Sequence, residues 1–378
     1  METLRKARTL LLGSAMILIA LGIVMIYSAS AIYAHDTMQN SFYFLQRHLV
    51  YLGLGLLLSW WAARADMRKL RSRVQPILIA AVVLLVLVLV PHVGASVKGA
   101  RRWFRFFGFS FQPSEFVKIA LIFYFADFLD RKREILGDFK KTFLPAMGIL
   151  GVCALLILKQ PDFGTAATIA FVTMILFFAS GFDLRLLFWA ALAAAPAMIY
   201  SMVSKPYRRK RLLAFFHPWD DPRGVGFQII QSFLALDAGG LLGVGLGQSQ
   251  QKLFYLPESH TDFIFSIIGE ELGFLGAGSV IILFVVFIFA GMVIVFRSKD
   301  RFTQLFALGL VSLIALEAVI NIGVSMGALP TKGLSLPFIS YGGSALLANL
   351  TALGFLVNVS KEPPVSESAP DEEGAGGS

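Results

Sequence analysis

A chain of 378 residues with 57% hydrophobic and only 15% charged side chains has too little polar surface for a soluble domain of its size. The net charge of +9 does not point to nucleic acid, because much of it sits in short turns between apolar runs. The single cysteine, Cys153, excludes an intramolecular disulfide framework.

A polytopic membrane protein remains, and its fold class is all-α, since lipid offers an unpaired backbone no hydrogen-bond partner. About ten apolar runs are long enough to cross the bilayer, near 9–30, 46–63, 76–93, 114–129, 144–158, 164–181, 186–204, 264–296, 303–325 and 343–360. The first exceeds the apolar core of a signal peptide and is followed by many like it, so it reads as a retained span. An even number of spans leaves both termini on one side. Arg5, Lys6 and Arg8, the Arg64 to Arg73 turn, the Arg131 to Lys141 turn and Arg297, Lys299 and Arg301 place that side in the cytoplasm.

Two basic clusters then fall outside. Lys98, Arg101, Arg102 and Arg105 lie between the third and fourth spans, and Lys205, Arg208, Arg209, Lys210 and Arg211 follow the seventh. Lipid headgroups would account for them, and so would an external anionic ligand, phosphate or pyrophosphate being the natural candidate.

Between these clusters Glu115 and Lys118 open the fourth span three residues apart, on one helix face. They form either a self-neutralising salt bridge or one wall of a polar cavity. Asp162, in Lys159-Gln-Pro-Asp162, is placed to cap the sixth span. The one long external connection, 205–262, is too rich in Phe, Leu and Ile for a disordered loop. Within it, Gln228 to Ala238 has the period of an interfacial helix, and Gly239, Gly240, Gly243, Gly245 and Gly247 read as a tight turn. No strand or Lys-Ser pair supports a nucleotide loop there. After Lys361 the composition cannot build a core, so 362–378 reads as a disordered cytoplasmic tail behind a single transmembrane domain, 1–361.

Asp262, in Leu256-Pro-Glu-Ser-His-Thr-Asp262-Phe263, sets a carboxylate at the mouth of the eighth span, where an ionisable group signals function. It suits a helix N-cap, or a general base acting on a hydroxyl while external cations stabilise a phosphate leaving group. Helical spacing puts Glu270 on its face, and so into the same cavity. Glu258 and His260 would complete a metal trio with Asp262, but an extended loop defines no ligand geometry. No GxSxG elbow supports a serine hydrolase.

KGARRWF at 98–104, QPSEFVK at 112–118, KQPDFGTA at 159–166, QKLFYLPESHTDFIF from Gln251 and LPTKGLSLPFISYGGS at 329–344 together resemble the shape, elongation, division and sporulation (SEDS) family, in family order over nearly the whole chain. The wording YRRKRLLAFFHPWDDP and QKLFYLPESHTDFIF is more similar to the division and sporulation branch than to the elongation branch. The resemblance implies a peptidoglycan glycosyltransferase of the bacterial cytoplasmic membrane, which polymerises lipid II at the outer face, inverts MurNAc C1 and releases undecaprenyl pyrophosphate. Asp262 is then the catalytic base toward the GlcNAc 4-hydroxyl. Lys98, Arg101, Arg102, Arg208, Arg209 and Lys210 would serve the pyrophosphate, and Arg47, Glu115, Lys118, Asp162, Glu258, His260 and Lys332 complete the substrate-binding residues. A divalent cation, magnesium or manganese, has a place in such chemistry, but no ligand set can be read. The implied partners are lipid II, the undecaprenyl-pyrophosphate-linked glycan, a class B penicillin-binding protein and divisome membrane proteins. Glu317, where the family more often has a neutral amide, and Asp237, before the glycine turn, depart from the pattern.

A lipid II flippase or other transporter would use the same intramembrane charges, Glu115, Lys118 and Glu317, yet the sequence has no inverted repeat with paired broken helices. An elongation polymerase would share the chemistry. A scaffold would leave Asp262 without a role.

Overall fold

The computed structural model describes residues 2–361 except 98, 107, 184, 190–191, 193–195, 197–205, 254–255 and 332, and of 97, 106, 206–208 and 212 only the backbone. Most of the expected seventh span, 186–204, and the tail, 362–378, lie outside the described residues. The other expected spans are helices: α1 Glu2–Met38, α2 Tyr43–Ala62, α4 Val74–Leu87, α5 Pro113–Arg131, α6 Leu144–Lys159, α7 Phe163–Ala179, α10 Ile264–Phe296, α11 Arg301–Ser325 and α12 Gly343–Val359. Short helices α3 Met67–Arg71, α8 Pro206–Phe216 and α9 Phe227–Gly239 lie between them. Four helical segments, Glu2–Met38, Phe139–Lys159, Ile264–Phe296 and Arg301–Ser325, are long and apolar enough to cross a membrane, and α4, α7 and α12 are shorter apolar helices. Leu57, Ile79, Leu155, Phe171, Ile282 and Phe289 are exposed on the outward faces, as helices presented to lipid require.

At the centre stands α5, in contact with α4, α7, α11 and α12. From Pro113 to Leu129 every residue but Phe116 is buried. Phe123 packs edge-on against Phe302 and Phe306, with ring centroids 5.5 and 5.1 Å apart, and Phe306 continues the contact to Phe355 on α12 at 5.4 Å. A helix enclosed by protein can carry charges that lipid would not tolerate, which explains how Glu115 and Lys118 sit on a span.

The connection from α4 to α5, which the sequence presents as a basic loop, is instead an antiparallel sheet in the order β1 Ala95–Val97, β2 Ala100–Phe106, β3 Phe109–Phe111. Its turns need the positive φ of Gly99 (79°) and Gly108 (81°), and the run between them is rich in the aromatic residues that strands favour. The Tyr51 hydroxyl accepts from the Ser110 N–H at 2.8 Å and donates to its carbonyl at 2.9 Å, pinning β3 to α2.

A second irregularity lies in α10, which breaks at Gly273 (φ 67°, ψ −166°). The freed backbone groups are paired one for one by the turn after α9. Val244 and Gly245 N–H donate to the Glu270 and Glu271 carbonyls at 3.0 and 3.1 Å, while Phe274 and Leu275 N–H donate to the Gly240 and Leu241 carbonyls at 2.8 and 3.2 Å. The glycines of this region are therefore a packing requirement, since a Cβ on Gly243 (φ 83°) would stand 2.2 Å from the Glu271 carbonyl oxygen. Gly243→Ala is expected to lower stability by more than about 2 kcal/mol, read as a fall in melting temperature. Gly278→Ala in α10, where a Cβ meets open space, is the neutral comparison; equal melting temperatures would refute the role of the splice.

Candidate functional site

The sheet, the α6–α7 junction, the start of α5 and two loops enclose one cavity of about 1260 Å³. Among the described residues its cations are Arg47, Arg102, Arg105, Arg211 and Lys118, and its acids are Glu115, Asp162, Glu258, Asp262 and Glu317.

Asp262 lies one residue before Phe263, the residue that caps α10, so its carboxylate belongs to the loop and not to the helix end. The loop is held from behind: Tyr341 N–H donates to the His260 carbonyl at 3.0 Å and the Ser340 hydroxyl to the Thr261 carbonyl at 2.6 Å. Gly333 forms the wall opposite the carboxylate, where a Cβ would come within 3.3 Å of Asp262 Oδ2. His260 stacks on Tyr33 at 5.9 Å and packs against Phe44 and Tyr341 at 4.6 and 5.8 Å. Burial raises the Tyr341 phenol above its ordinary pKa, with the Arg47 charge opposing it, so the hydroxyl stays protonated at neutral pH. Glu258 adopts a φ of 60° and its Oε2 accepts from the Thr261 hydroxyl at 3.1 Å.

Glu115 and Lys118 prove to be both of the alternatives the spacing allows, a salt bridge and a cavity wall. Lys118 Nζ lies 2.8 Å from Glu115 Oε2 and also pairs with Glu317 of α11, all three side chains being less than a tenth exposed. Asp162 likewise fills two roles. Its Oδ1 accepts from Thr165 N–H at 3.2 Å, capping α7, while its Oδ2 accepts from Gln112 at 3.3 Å and lies 3.7 Å from Arg102. Arg102 also donates to the carbonyls of Gln160 and Pro161, so it braces the α6–α7 junction as it lines the cavity. Arg47 donates to the Gly108 carbonyl and lies over the Tyr43 ring at 4.8 Å, fixed by a backbone oxygen and an aromatic face. Arg105 is exposed at the cavity rim.

Several expected positions are not brought here. Arg101 is exposed and does not line the cavity, whereas Arg102, Trp103 and Arg105 do; the pairing of Ala95 with Trp103 and of Ser96 with Arg101 leaves Arg102 as the extra residue of a bulge, which breaks the simple alternation of faces along β2. On α8, Arg209 and Lys210 are exposed and it is Arg211 that reaches the cavity, as a helical turn of about 100° per residue separates them. Lys98, Lys332 and the Arg208 side chain lie outside the described residues. Glu270 does not join Asp262. Because α10 begins only at Ile264, helical spacing does not carry back to 262, and the Glu270 carboxylate accepts instead from the Gln250 N–H at 2.8 Å and the Ser249 hydroxyl. Glu271 is turned the same way, accepting from Lys252 Nζ at 2.8 Å and from Ser28 of α1 at 2.7 Å. Nor do the acids gather for a metal: among the described residues no three His, Cys, Asp or Glu are placed to hold an ion. The cavity residues therefore do not fit a divalent cation held by protein ligands alone, and no step below is routed through one.

Missed by sequence reasoning are the rest of the aromatic wall around His260 and the Glu317 contact with Lys118, since neither has a local spacing. A loop acid and several arginines open onto one large cavity inside a bundle of apolar helices, the arrangement of a multi-pass membrane protein. The FtsW/RodA/SpoVE family of cell cycle proteins matches residues 8–364, and the chain belongs to that family. It is 46% identical over 366 residues to a Trichlorobacter lovleyi protein named "Probable peptidoglycan glycosyltransferase FtsW", covering 95% of this chain and 96% of the relative. It is 41% identical over 352 residues to stage V sporulation protein E of Bacillus subtilis, covering 93% and 96%. A solved structure described as showing structural coordination of polymerization and crosslinking by a peptidoglycan synthase complex is similar at a TM-score of 0.76 and 34% identity, over 93% of this chain and 96% of that one. The rod shape determining protein RodA of Thermus thermophilus is similar at a TM-score of 0.69 and 29% identity, over 93% and 95%.

Proposed function

We propose that the chain is a peptidoglycan glycosyltransferase of the bacterial cytoplasmic membrane that polymerises lipid II at its outer face, with both termini in the cytoplasm. The observation that carries this reading is the shared cavity, in which Asp262 and a set of arginines face one space. Asp262 takes the proton of the acceptor GlcNAc 4-hydroxyl, and that oxygen attacks MurNAc C1 of the growing strand with inversion. The bond from C1 to the pyrophosphate oxygen breaks, and undecaprenyl pyrophosphate leaves with its charge opposed by Arg105, Arg47 and Arg211. Likeness to FtsW and SpoVE relatives supports a role in division, and a class B penicillin-binding protein is the proposed partner that cross-links the product.

The test is polymerisation of purified lipid II by the protein in liposomes, alone and with such a transpeptidase. Glycan strands are expected; transbilayer movement of lipid II with no strand would sink the reading in favour of a flippase. Within that assay Arg105 and Arg102 separate. Arg105→Ala is expected to raise the lipid II concentration at half-maximal rate several-fold at unchanged melting temperature, because the side chain is exposed. Arg102→Ala would also cost stability, since it releases the carbonyls of the α6–α7 junction.

A further inference from the structure

Three consecutive carbonyls of the loop that ends at Asp262 are each held by a different group. Those of His260 and Thr261 are taken by Tyr341 and Ser340, and that of Asp262 itself accepts from Asn321 Nδ2 of α11 at 2.9 Å. The same Nδ2 donates its second hydrogen to the Leu334 carbonyl at 2.7 Å, next to Gly333, whose backbone faces the Asp262 carboxylate. Asn321 is 1% exposed and does not line the cavity, so it stands behind both walls without reaching substrate. Among the described residues its Oδ1 has no hydrogen-bond partner, so the two donor bonds are what holds its buried amide there. Neither Ser nor Asp could replace it, since the site calls for two N–H donors on one atom.

We propose that Asn321 is a positioning residue, which fixes the Asp262 backbone against the Gly333 wall and so sets the aim of the carboxylate. This rests on the reading of Asp262 as the base. A displacement of about 1 Å at a reacting group costs on the order of 100-fold in rate, so loss of the amide acts on turnover rather than on substrate affinity.

The molecule contains its own control. Asn358 of α12 makes a matching double contact far along the chain, its Nδ2 donating to the Ala62 and Ala65 carbonyls at 2.8 and 2.7 Å, and it does not line the cavity. Lipid II polymerisation and melting temperature are to be measured for Asn321→Leu, Asn358→Leu and Asp262→Ala. Asn321→Leu is expected to lose roughly 10- to 100-fold in kcat with KM within about twofold of wild type. Asn358→Leu is expected to show a similar loss of melting temperature and near-normal kcat. Turnover that falls equally in both asparagine variants, in step with stability, would make Asn321 merely structural. Full polymerisation by Asp262→Ala would remove the base and its positioning together, whereas an inactive Asp262→Ala beside a fully active Asn321→Leu would overturn the clamp alone. Should Asn321→Leu not fold, Asn321→Ser, which has a single donor in place of two, carries the same expectation of lowered kcat at constant KM; wild-type kcat there would overturn the proposal.

Discussion

Asp262→Asn is expected to yield a folded protein that forms glycan strands about 10²–10⁴-fold more slowly than wild type, the usual contribution of a positioned general base. The substitution conserves shape while it removes the negative charge and, with it, the capacity to take a proton. It should be structurally mild for two reasons. The helix that follows is capped at Phe263 without a side-chain hydrogen bond, so no capping bond of α10 is lost. The loop is also held through the carbonyls of residues 260 to 262, which the substitution leaves in place. Binding of the pyrophosphate falls to the arginines of the cavity, so the half-saturating lipid II concentration should move little. The informative measurement is kcat for strand formation together with melting temperature. Strands formed at the wild-type rate would exclude Asp262 as the base, and a protein that fails to fold would show that its carboxylate serves the loop instead.

Much of this architecture was legible in the sequence because a membrane imposes a coarse and local rule, about twenty apolar residues per crossing. Helix positions such as α5 and α10 follow from that rule, and the glycine turn after α9 follows from another local one, since the positive φ values at Gly240, Gly243, Gly245 and Gly247 are ones only glycine adopts readily. What spacing could not convey is which side of an element a residue takes when the element itself is misread. A basic loop at 98–105 offered all its cations to one ligand, but a strand divides them, sending Arg102 inward and leaving Arg101 exposed. The same holds for Glu270, placed beside Asp262 on the assumption of one continuous helix. Contacts distant in sequence left no trace at all: the Asn321 bond to Asp262 spans 59 residues, and the Glu317 bond to Lys118 spans 199.

That last contact leads to the largest expected effect on stability, the loss on Lys118→Met. One ammonium serves two carboxylates, Glu115 and Glu317, with all three side chains under a tenth exposed within the bundle. Removing the ammonium strands two like charges, neither of which has another salt-bridge partner among the described residues, and breaking a buried pair in this way costs about 3–5 kcal/mol. Methionine fills nearly the volume of the lysine stem, so the cost is electrostatic and not a cavity. Glu317→Gln alone should behave differently. It leaves Lys118 and Glu115 as a one-to-one pair and still offers Lys118 an amide oxygen, so a change within about 1 kcal/mol is expected, of either sign. In the double variant Lys118→Met, Glu317→Gln, one of the stranded charges is gone, and part of the lost melting temperature should return. The cluster also forms part of the cavity lining, so strand formation should fall with Lys118→Met and recover with the double variant. A Lys118→Met protein that melts with wild type would mean that the two acids are held neutral without the ammonium, and that Lys118 stabilises neither.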